Sequence, residues 1–280
     1  MDNELFYQLA LTLVPQIGDV QAKILVQQLG TASTIFKAPI RVLEKIEGIG
    51  TIRAQAIKAF RDFDVAETEL RFIENQCITP LFLTDAAYPQ RLLHCNDAPT
   101  LLFYKGTADL NASRIISIVG TRTNTDYGKA VTEKLVQELS SVPVLIVSGL
   151  AYGIDAFAHK AALKNGLQTI GVVGHGLDKM YPPAHTALAQ EMMQKGGLLT
   201  EFFSGTMPDK HNFPLRNRIV AGISDATVVV ETLVNGGSMI TAKLADAYNR
   251  DVFAVPGRTI DTKSAGCNYL IQHNKAMLLT

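Results

Sequence analysis

Six short apolar runs, separated by stretches with helical periodicity, constrain the fold of this chain more than any other feature. They are IISIVG (115–120), VLIVSG (144–149), TIGVVG (169–174), LLTEF (198–202), ATVVVE (226–231) and DVFAVPG (251–257). The runs lack polar alternation, which is typical of strands buried on both faces of a parallel sheet. The pattern therefore predicts an α/β fold with a doubly wound, extended Rossmann-like parallel sheet.

The first 75 residues differ, since they show only the apolar period of helices and contain a weak internal repeat. The segments 17–25 and 49–57 share an Ile-Gly pair, an alanine four residues after the glycine, and an aliphatic residue three positions later. The second copy, EGIGTIRAQAI, resembles a helix-hairpin-helix, whose free N–H groups can face a phosphate. A plain αα-hairpin explains these residues equally well. We expect a small all-α domain over 1–75 and a second domain over 76–280, with lead-in strands in 76–112.

Composition indicates a globular protein and excludes several functional classes. Lys plus Arg and Asp plus Glu both number 26 in 280 residues, so a nucleic-acid partner would require a local basic patch. Cys77, Cys95 and Cys267 are far apart and lack a CxxC pair or a histidine at ligand spacing, so neither a disulfide framework nor a zinc site is indicated. No segment reaches the roughly 20 apolar residues of a membrane span, and the N-terminus MDNELFYQLA lacks a signal core. We expect a cytoplasmic protein without membrane association, metal or cofactor.

Glycine-rich turns follow the predicted strands, at the edge where doubly wound sheets bind their ligands. The main ones are Gly120-Thr121-Arg122, Ser148-Gly149, Gly174-His175-Gly176 and Gly236-Gly237-Ser238. A strand that ends in such a turn and opens a helix leaves backbone N–H groups free for an anion. Neither GxGxxG nor GxxxxGK[ST] is present. Any single glycine is equally well explained as a turn residue, but their repetition along one edge favours an anion site.

Basic and aromatic side chains accompany these turns. Arg122 directly follows a strand-end glycine, a position that bidentate phosphate contact explains better than packing does. The segment 209–218 adds Lys210, Arg216, Arg218 and the aromatic Phe213. A cation beside an exposed ring suits stacking and charge neutralisation of a single strand. The alternative is a solvated helix start with Phe213 in the core.

The sequence shows no catalytic set. Ser148 would need a glycine in place of Ile146 to form a nucleophile elbow, and the six histidines are scattered. Glu201 and Glu231 end strands, but without a nucleophile or a metal cluster we expect them to orient loops. The residues therefore favour binding over catalysis.

Taken together, the motifs resemble the DNA-processing DprA family, also called Smf. They are SIVGTR, SGLAYGIDAFAHKAAL, GHGLDKMYPPAH, FPLRNRIVAGIS, VVVET, GGSMITAKLADAYNRDVFAVPG and GCNYLIQHNKA, and they cover residues 113–276 nearly without a gap. The helical front is similar to the small SAM-like domain of many members. The resemblance implies a non-enzymatic homodimer that binds and protects single-stranded DNA. It also implies that the protein loads RecA recombinase in natural transformation and recombination.

The resemblance further implies that the strand lies in a basic pocket at the glycine-rich strand ends. The implied contacts are Gly120, Thr121, Arg122, Ser148, Gly149, Lys210, Phe213, Arg216, Asn217, Arg218, Gly236, Gly237 and Ser238. Many members have proline and glycine where 210–212 stand, and many continue into a winged-helix domain. The apolar side chains of 266–280 are expected at the dimer interface.

One alternative belongs to another functional class. The GGS turn after VVVE is similar to the PGGxGT turn of nucleotide phosphoribohydrolases of the lysine-decarboxylase-like family, which share this kind of sheet. The residues from Asn235 to Ile240 break that pattern. Release of free base from AMP distinguishes the two hypotheses.

Overall fold

The computed structural model describes residues 4–280. They form two compact units, one of residues up to Tyr88 together with Asn96–Phe103, the other of Pro89–Cys95 together with Tyr104–Thr280. The strand Leu101–Gly106 passes from the first unit into the second. The division into domains at residue 75 stays a prediction.

The first unit is mainly helical, as the sequence predicts. Its elements are α1 (Glu4–Leu13), α2 (Asp19–Leu29), α3 (Ala32–Lys37), α4 (Ile40–Leu43), α5 (Gly50–Ala59), α6 (Phe63–Asn75) and β1 (Thr79–Phe82). Phe63 lies at the centre of an aromatic cluster, with its ring centroid 5.6 Å from Phe6 and 5.7 Å from Phe36. The carboxylate of Asp19 accepts hydrogen bonds from the backbone N–H and hydroxyl of Thr100, at 2.7 and 2.8 Å. This acidic residue thus has a structural role.

The two copies of the internal repeat do not fold alike. In the second copy, Gly48 and Gly50 adopt left-handed φ values of 82° and 62°, which glycine tolerates best. In the first copy, Gly18 is extended with a φ of −91°. Arg53 donates to the carbonyl oxygens of Gly48, at 3.0 Å, and Gln16, at 3.2 Å, and so joins the two turns. The hairpin therefore stabilises the packing of the two turns. Its contact with DNA stays a hypothesis.

The second unit alternates strands and helices. Its elements are α7 (Gln90–Leu93), the end of β2 (Leu101–Gly106), β3 (Ile115–Val119), α8 (Asp126–Leu139), β4 (Leu145–Ser148), α9 (Ile154–Lys164), β5 (Thr169–Val172), α10 (Thr186–Lys195), β6 (Gly197–Thr200), α11 (Asn212–Ile223), β7 (Ala226–Val229), α12 (Gly237–Ala247), β8 (Asp251–Ala254), α13 (Ala265–Gln272) and β9 (Met277–Leu278). The six predicted strands are confirmed. Each ends one to three residues before its apolar run does: β3 stops at Val119, one residue short, and β8 at Ala254, three residues short.

The strands from β3 onward form a parallel sheet in the order β6-β5-β4-β3-β7-β8-β9. From β3 the chain first builds outward through β4, β5 and β6, and then crosses to β7 on the other side of β3. Right-handed crossovers place the helices of the two halves on opposite faces of the sheet. The sheet is therefore doubly wound, and the loops after β3 and β7 flank the crevice at its switch point. Across residues 4–280, no helix has the length and apolarity to cross a lipid bilayer.

Candidate nucleic-acid interface

An open groove of about 660 Å³ lies beyond the carboxyl ends of β3, β4 and β7, within the second unit. Eleven of the thirteen predicted contact residues line it: Gly120, Thr121, Arg122, Gly149, Lys210, Phe213, Arg216, Asn217, Gly236, Gly237 and Ser238. They come from four separate loops and helix ends, which parallel strand order brings together. The structure thus places most of the predicted site on one surface.

The turn after β3 is held by contacts on both sides. The backbone N–H of Thr121 donates to the carbonyl oxygen of Glu231, at 2.7 Å. The carbonyl oxygen of Thr121 accepts from the N–H of Ile154, at 3.2 Å. A Cβ atom on Gly120 would lie 2.5 Å from Cγ1 of Ile154, so a larger residue would push α9 away. The turn therefore fixes the backbone from which Arg122 extends.

Arg122 presents its charge beside two aromatic rings. Its guanidinium carbon lies 5.2 Å from the centroid of Phe213, within cation–π range. The ring of Tyr181 is 5.8 Å from that of Phe213 and is tilted by 35°. Arg122 is exposed, and in the part of the chain that the structure describes it has no carboxylate within 4 Å. An exposed positive charge, the half-buried ring of Phe213 and the exposed ring of Tyr181 therefore lie side by side at the groove.

Two further positive features face the groove. Lys210 is exposed on the loop before α11 and lines the groove. Helix α12 begins at its edge, where the N-cap residue Gly236 provides no side-chain cap. The amino end of a helix favours a negatively charged group through its free N–H groups and dipole. The groove therefore suits an anionic ligand.

Two buried side chains of opposite charge underlie the groove. Arg216 is 4% exposed and Asp155 is 7% exposed, and both line the groove wall. Burial lowers the pKa of Arg216 to about 10, while the negative charge of Asp155 acts in the opposite direction. Burial likewise raises the pKa of Asp155, against the influence of Arg216. A Cβ atom on Gly149 would lie 1.8 Å from Nη1 of Arg216, so glycine is what leaves room for the guanidinium.

The structure places the other two predicted residues away from the groove lining. Ser148 is fully buried, and its hydroxyl donates to the carbonyl oxygen of Ile118 at 2.6 Å. Arg218 forms an ion pair with Glu201. Residues two apart on a helix do not share a face, so Arg218 diverges from Arg216. Both side chains stabilise the protein around the groove.

The sequence analysis did not identify every residue of the site. Its expectation that Glu231 orients a loop is confirmed. The carboxylate of Glu231 accepts from the backbone N–H of Thr125, at 2.9 Å, so it orients the loop after β3. Tyr181 and Asp155 were not predicted. The signal for Tyr181 was its place in GHGLDKMYPPAH, the loop after the third strand. Asp155 likewise lies in SGLAYGIDAFAHKAAL, but the sequence does not show that Arg216, distant along the chain, is also at the groove.

Comparison with known proteins decides the family. The sequence model of the family described as DNA recombination-mediator protein A matches residues 79–280. The chain belongs to the DprA family. Protein Smf of Synechocystis sp. is 37% identical over 286 residues, covering 100% of this chain and 71% of the relative. DNA processing protein DprA of Streptococcus pneumoniae is 40% identical over 237 residues, covering 85% and 83%.

Two solved DprA structures resemble this one. The X-ray structure of DprA from Streptococcus pneumoniae has a TM-score of 0.84 and 34% identity, covering 100% of this chain and 95% of that chain. DprA from Helicobacter pylori has a TM-score of 0.66 and 32% identity, covering 72% and 90%. The latter structure was described for its mode of binding single-stranded DNA. The predicted membership in the DprA family is confirmed.

Proposed function

We propose that this protein binds single-stranded DNA in the groove at the switch point of its sheet, and that it acts by binding rather than by catalysis. The observation that carries the proposal is the exposed guanidinium of Arg122 over the ring of Phe213, with Lys210 on the same groove. Cations neutralise phosphates, while the ring face stacks on an unpaired base. The Helicobacter pylori relative, described as binding single-stranded DNA, supports this assignment.

The character of the lining argues for a single strand and for little base preference. A duplex keeps its bases stacked on one another, so the rings of Phe213 and Tyr181 favour a strand whose bases are free. Glycine turns and a helix amino end contact phosphates, which are the same in every nucleotide. We therefore assign the backbone of the strand to the turns and its bases to the rings.

We expect the affinity for a single strand to fall steeply with salt. The log–log slope should be about −0.7 for each neutralised phosphate, hence about −1.4 if the exposed cations Arg122 and Lys210 each neutralise one. Fluorescence anisotropy of a labelled oligonucleotide at several salt concentrations measures this slope, and a duplex of the same sequence is the comparison. Salt-independent binding, tighter binding of the duplex, or selection of one short sequence would contradict the proposal.

The phosphoribohydrolase alternative has its own test. Incubation with AMP should release no adenine, because the PGGxGT spacing is broken between Asn235 and Ile240. Release of adenine at a rate above that of buffer would favour the enzyme.

We further propose that the protein is a cytoplasmic homodimer that protects incoming DNA and loads RecA recombinase in natural transformation and recombination. The recombination-mediator description of its family supports the RecA role. Met277 and Leu278, on the edge strand β9, are 49% and 52% exposed and support a dimer contact, whereas Leu270 is buried in the core.

Sedimentation velocity tests both assemblies in one series. At micromolar concentration we expect a dimer that Met277→Asp together with Leu278→Asp converts to monomer, because two charges would be buried at the contact. Adding RecA and single-stranded DNA should give a faster species that contains both proteins. A monomer at every concentration, or RecA that sediments alone, would overturn the corresponding proposal.

A further inference from the structure

A second aromatic ring flanked by cations lies outside the groove, where α8 and α9 pack together. The Nζ atoms of Lys129 on α8 and Lys160 on α9 lie 5.3 and 5.9 Å from the ring centroid of Phe157 on α9. Both lysines are exposed, and among the residues that the structure describes neither has a carboxylate within 4 Å. We call these three residues the Phe157 cluster.

The Phe157 cluster begins where the groove ends. Helix α9 starts against the turn after β3: a Cβ atom on Gly153 would lie 2.2 Å from the carbonyl oxygen of Thr121 and 2.8 Å from that of Arg122. The N–H of Phe157 donates to the carbonyl of Gly153, at 3.1 Å. Four helical residues advance about 6 Å, so Phe157 lies about one turn of helix beyond the backbone that carries Arg122. The cluster is therefore about one helical turn away from the turn that carries Arg122.

Phe157 lies outside the two apolar clusters to which its helix contributes. Its neighbours Ile154 and Ala158 belong to one apolar cluster, and Ala156 to another, but Phe157 belongs to neither. The ring is only half-buried. Phe157 and Lys160, three residues apart, lie on the same outer face of α9. Their arrangement repeats the pairing of Phe213 with Arg122 at the groove.

We propose that the Phe157 cluster is a second stacking subsite for a single DNA strand that leaves the groove past Arg122. This inference rests on the proposed function. A base stacks on the ring of Phe157, and the two ammonium groups bind the phosphates on either side of it. Asp126 and Glu133, on the same helix as Lys129, reduce the net positive charge of this surface.

The chain contains no tryptophan, which allows a direct test. Phe157→Trp introduces a single indole whose fluorescence a stacked base quenches. We expect quenching on titration with an oligothymidylate of about 24 nucleotides, and little with one of about 4 that the groove alone accommodates. Anisotropy of the labelled strands reports binding independently. Binding of the long strand without quenching would overturn the subsite.

Affinities provide a second readout. Phe157→Ala should lower affinity for the long strand about five- to hundredfold and leave the short strand unaffected, while Phe157→Tyr retains parental binding. Lys129→Ala with Lys160→Ala should make the salt slope shallower by about 1.4. Lys134→Ala, an exposed lysine of α8 paired with Glu138, is the matched control.

The outcomes separate the two proposals. If the parent binds both strands and Phe157→Ala binds them equally well, the subsite is wrong and the groove assignment is unaffected. If the parent binds neither strand, the proposed function is wrong, and the subsite with it. The midpoint of thermal unfolding is measured for each variant. A midpoint equal to that of the parent shows that a loss of affinity comes from the missing ring and not from unfolding.

Discussion

Replacing Arg122 by alanine is expected to weaken the binding of single-stranded DNA about ten- to a hundredfold without unfolding the protein. The guanidinium is exposed and pairs with no carboxylate among the described residues, so its removal leaves no buried charge behind. A charged hydrogen bond to phosphate contributes roughly 1.5–3 kcal/mol. The variant also loses the cation that lies 5.2 Å from the ring of Phe213. Anisotropy titrations at one salt concentration measure the loss, and thermal unfolding checks the fold.

The chain offers a matched control at the other end of the same strand. Arg114 directly precedes β3 and is exposed, whereas Arg122 follows it. The five residues of β3 span about 17 Å, so Arg114 lies at the edge of the sheet opposite the groove. Arg114→Ala removes the same charge and should bind like the parent. Parental affinity for Arg122→Ala, or equal losses for both variants, would show that the groove is not the binding surface.

Replacing Asp155 by alanine is expected to lower the free energy of unfolding by about 1–3 kcal/mol. This change would leave Arg216, which is 4% exposed, without the negative charge that opposes its desolvation. The N–H of Ala151, which donates to Asp155 at 3.3 Å, would also lose its acceptor. Urea denaturation followed by circular dichroism measures the difference. Asp126→Ala, at the exposed first turn of α8, is the control and should change stability by less than about 1 kcal/mol.

A double variant identifies the cause of that loss. Arg216→Met in the Asp155→Ala background removes the uncompensated charge, so it should recover part of the stability. If the double variant is as unstable as the sum of the two single changes, the charges are not coupled. In that case the cost of Asp155→Ala comes from the lost hydrogen bond and the cavity.

The strands could be predicted because unbroken aliphatic runs have few other uses in a chain of this size. Their ends could not be predicted, since hydrophobicity does not report where the ladder stops. Val173 continues the apolar run of β5, is buried and still donates its N–H to the carbonyl oxygen of Leu199 at 2.8 Å, although the strand ends at Val172. Helix α13 follows the last apolar run and could not be predicted, because its eight residues are too few for the helical period to appear clearly.

The groove could be predicted because parallel strands bring their carboxyl ends to one edge. The direction of each side chain could not. Ser148 turns toward the neighbouring strand β3, and Arg218 meets Glu201, 17 residues earlier in the chain. The burial of Arg216 depends on Gly149, whose missing side chain makes the space for it. Such contacts between distant residues are set by tertiary packing, which a local pattern does not contain.

Glu231 connects the two loops at the switch point, through its backbone carbonyl to Thr121 and through its carboxylate to Thr125. Both ends of the loop after β3 are thus fixed by one residue of the neighbouring segment. The conformational entropy of this loop is lost when the chain folds, not when a ligand arrives. A DNA strand that enters the groove therefore meets a pre-organised wall. Binding does not have to order this loop, so no conformational entropy of the loop is subtracted from the free energy of association.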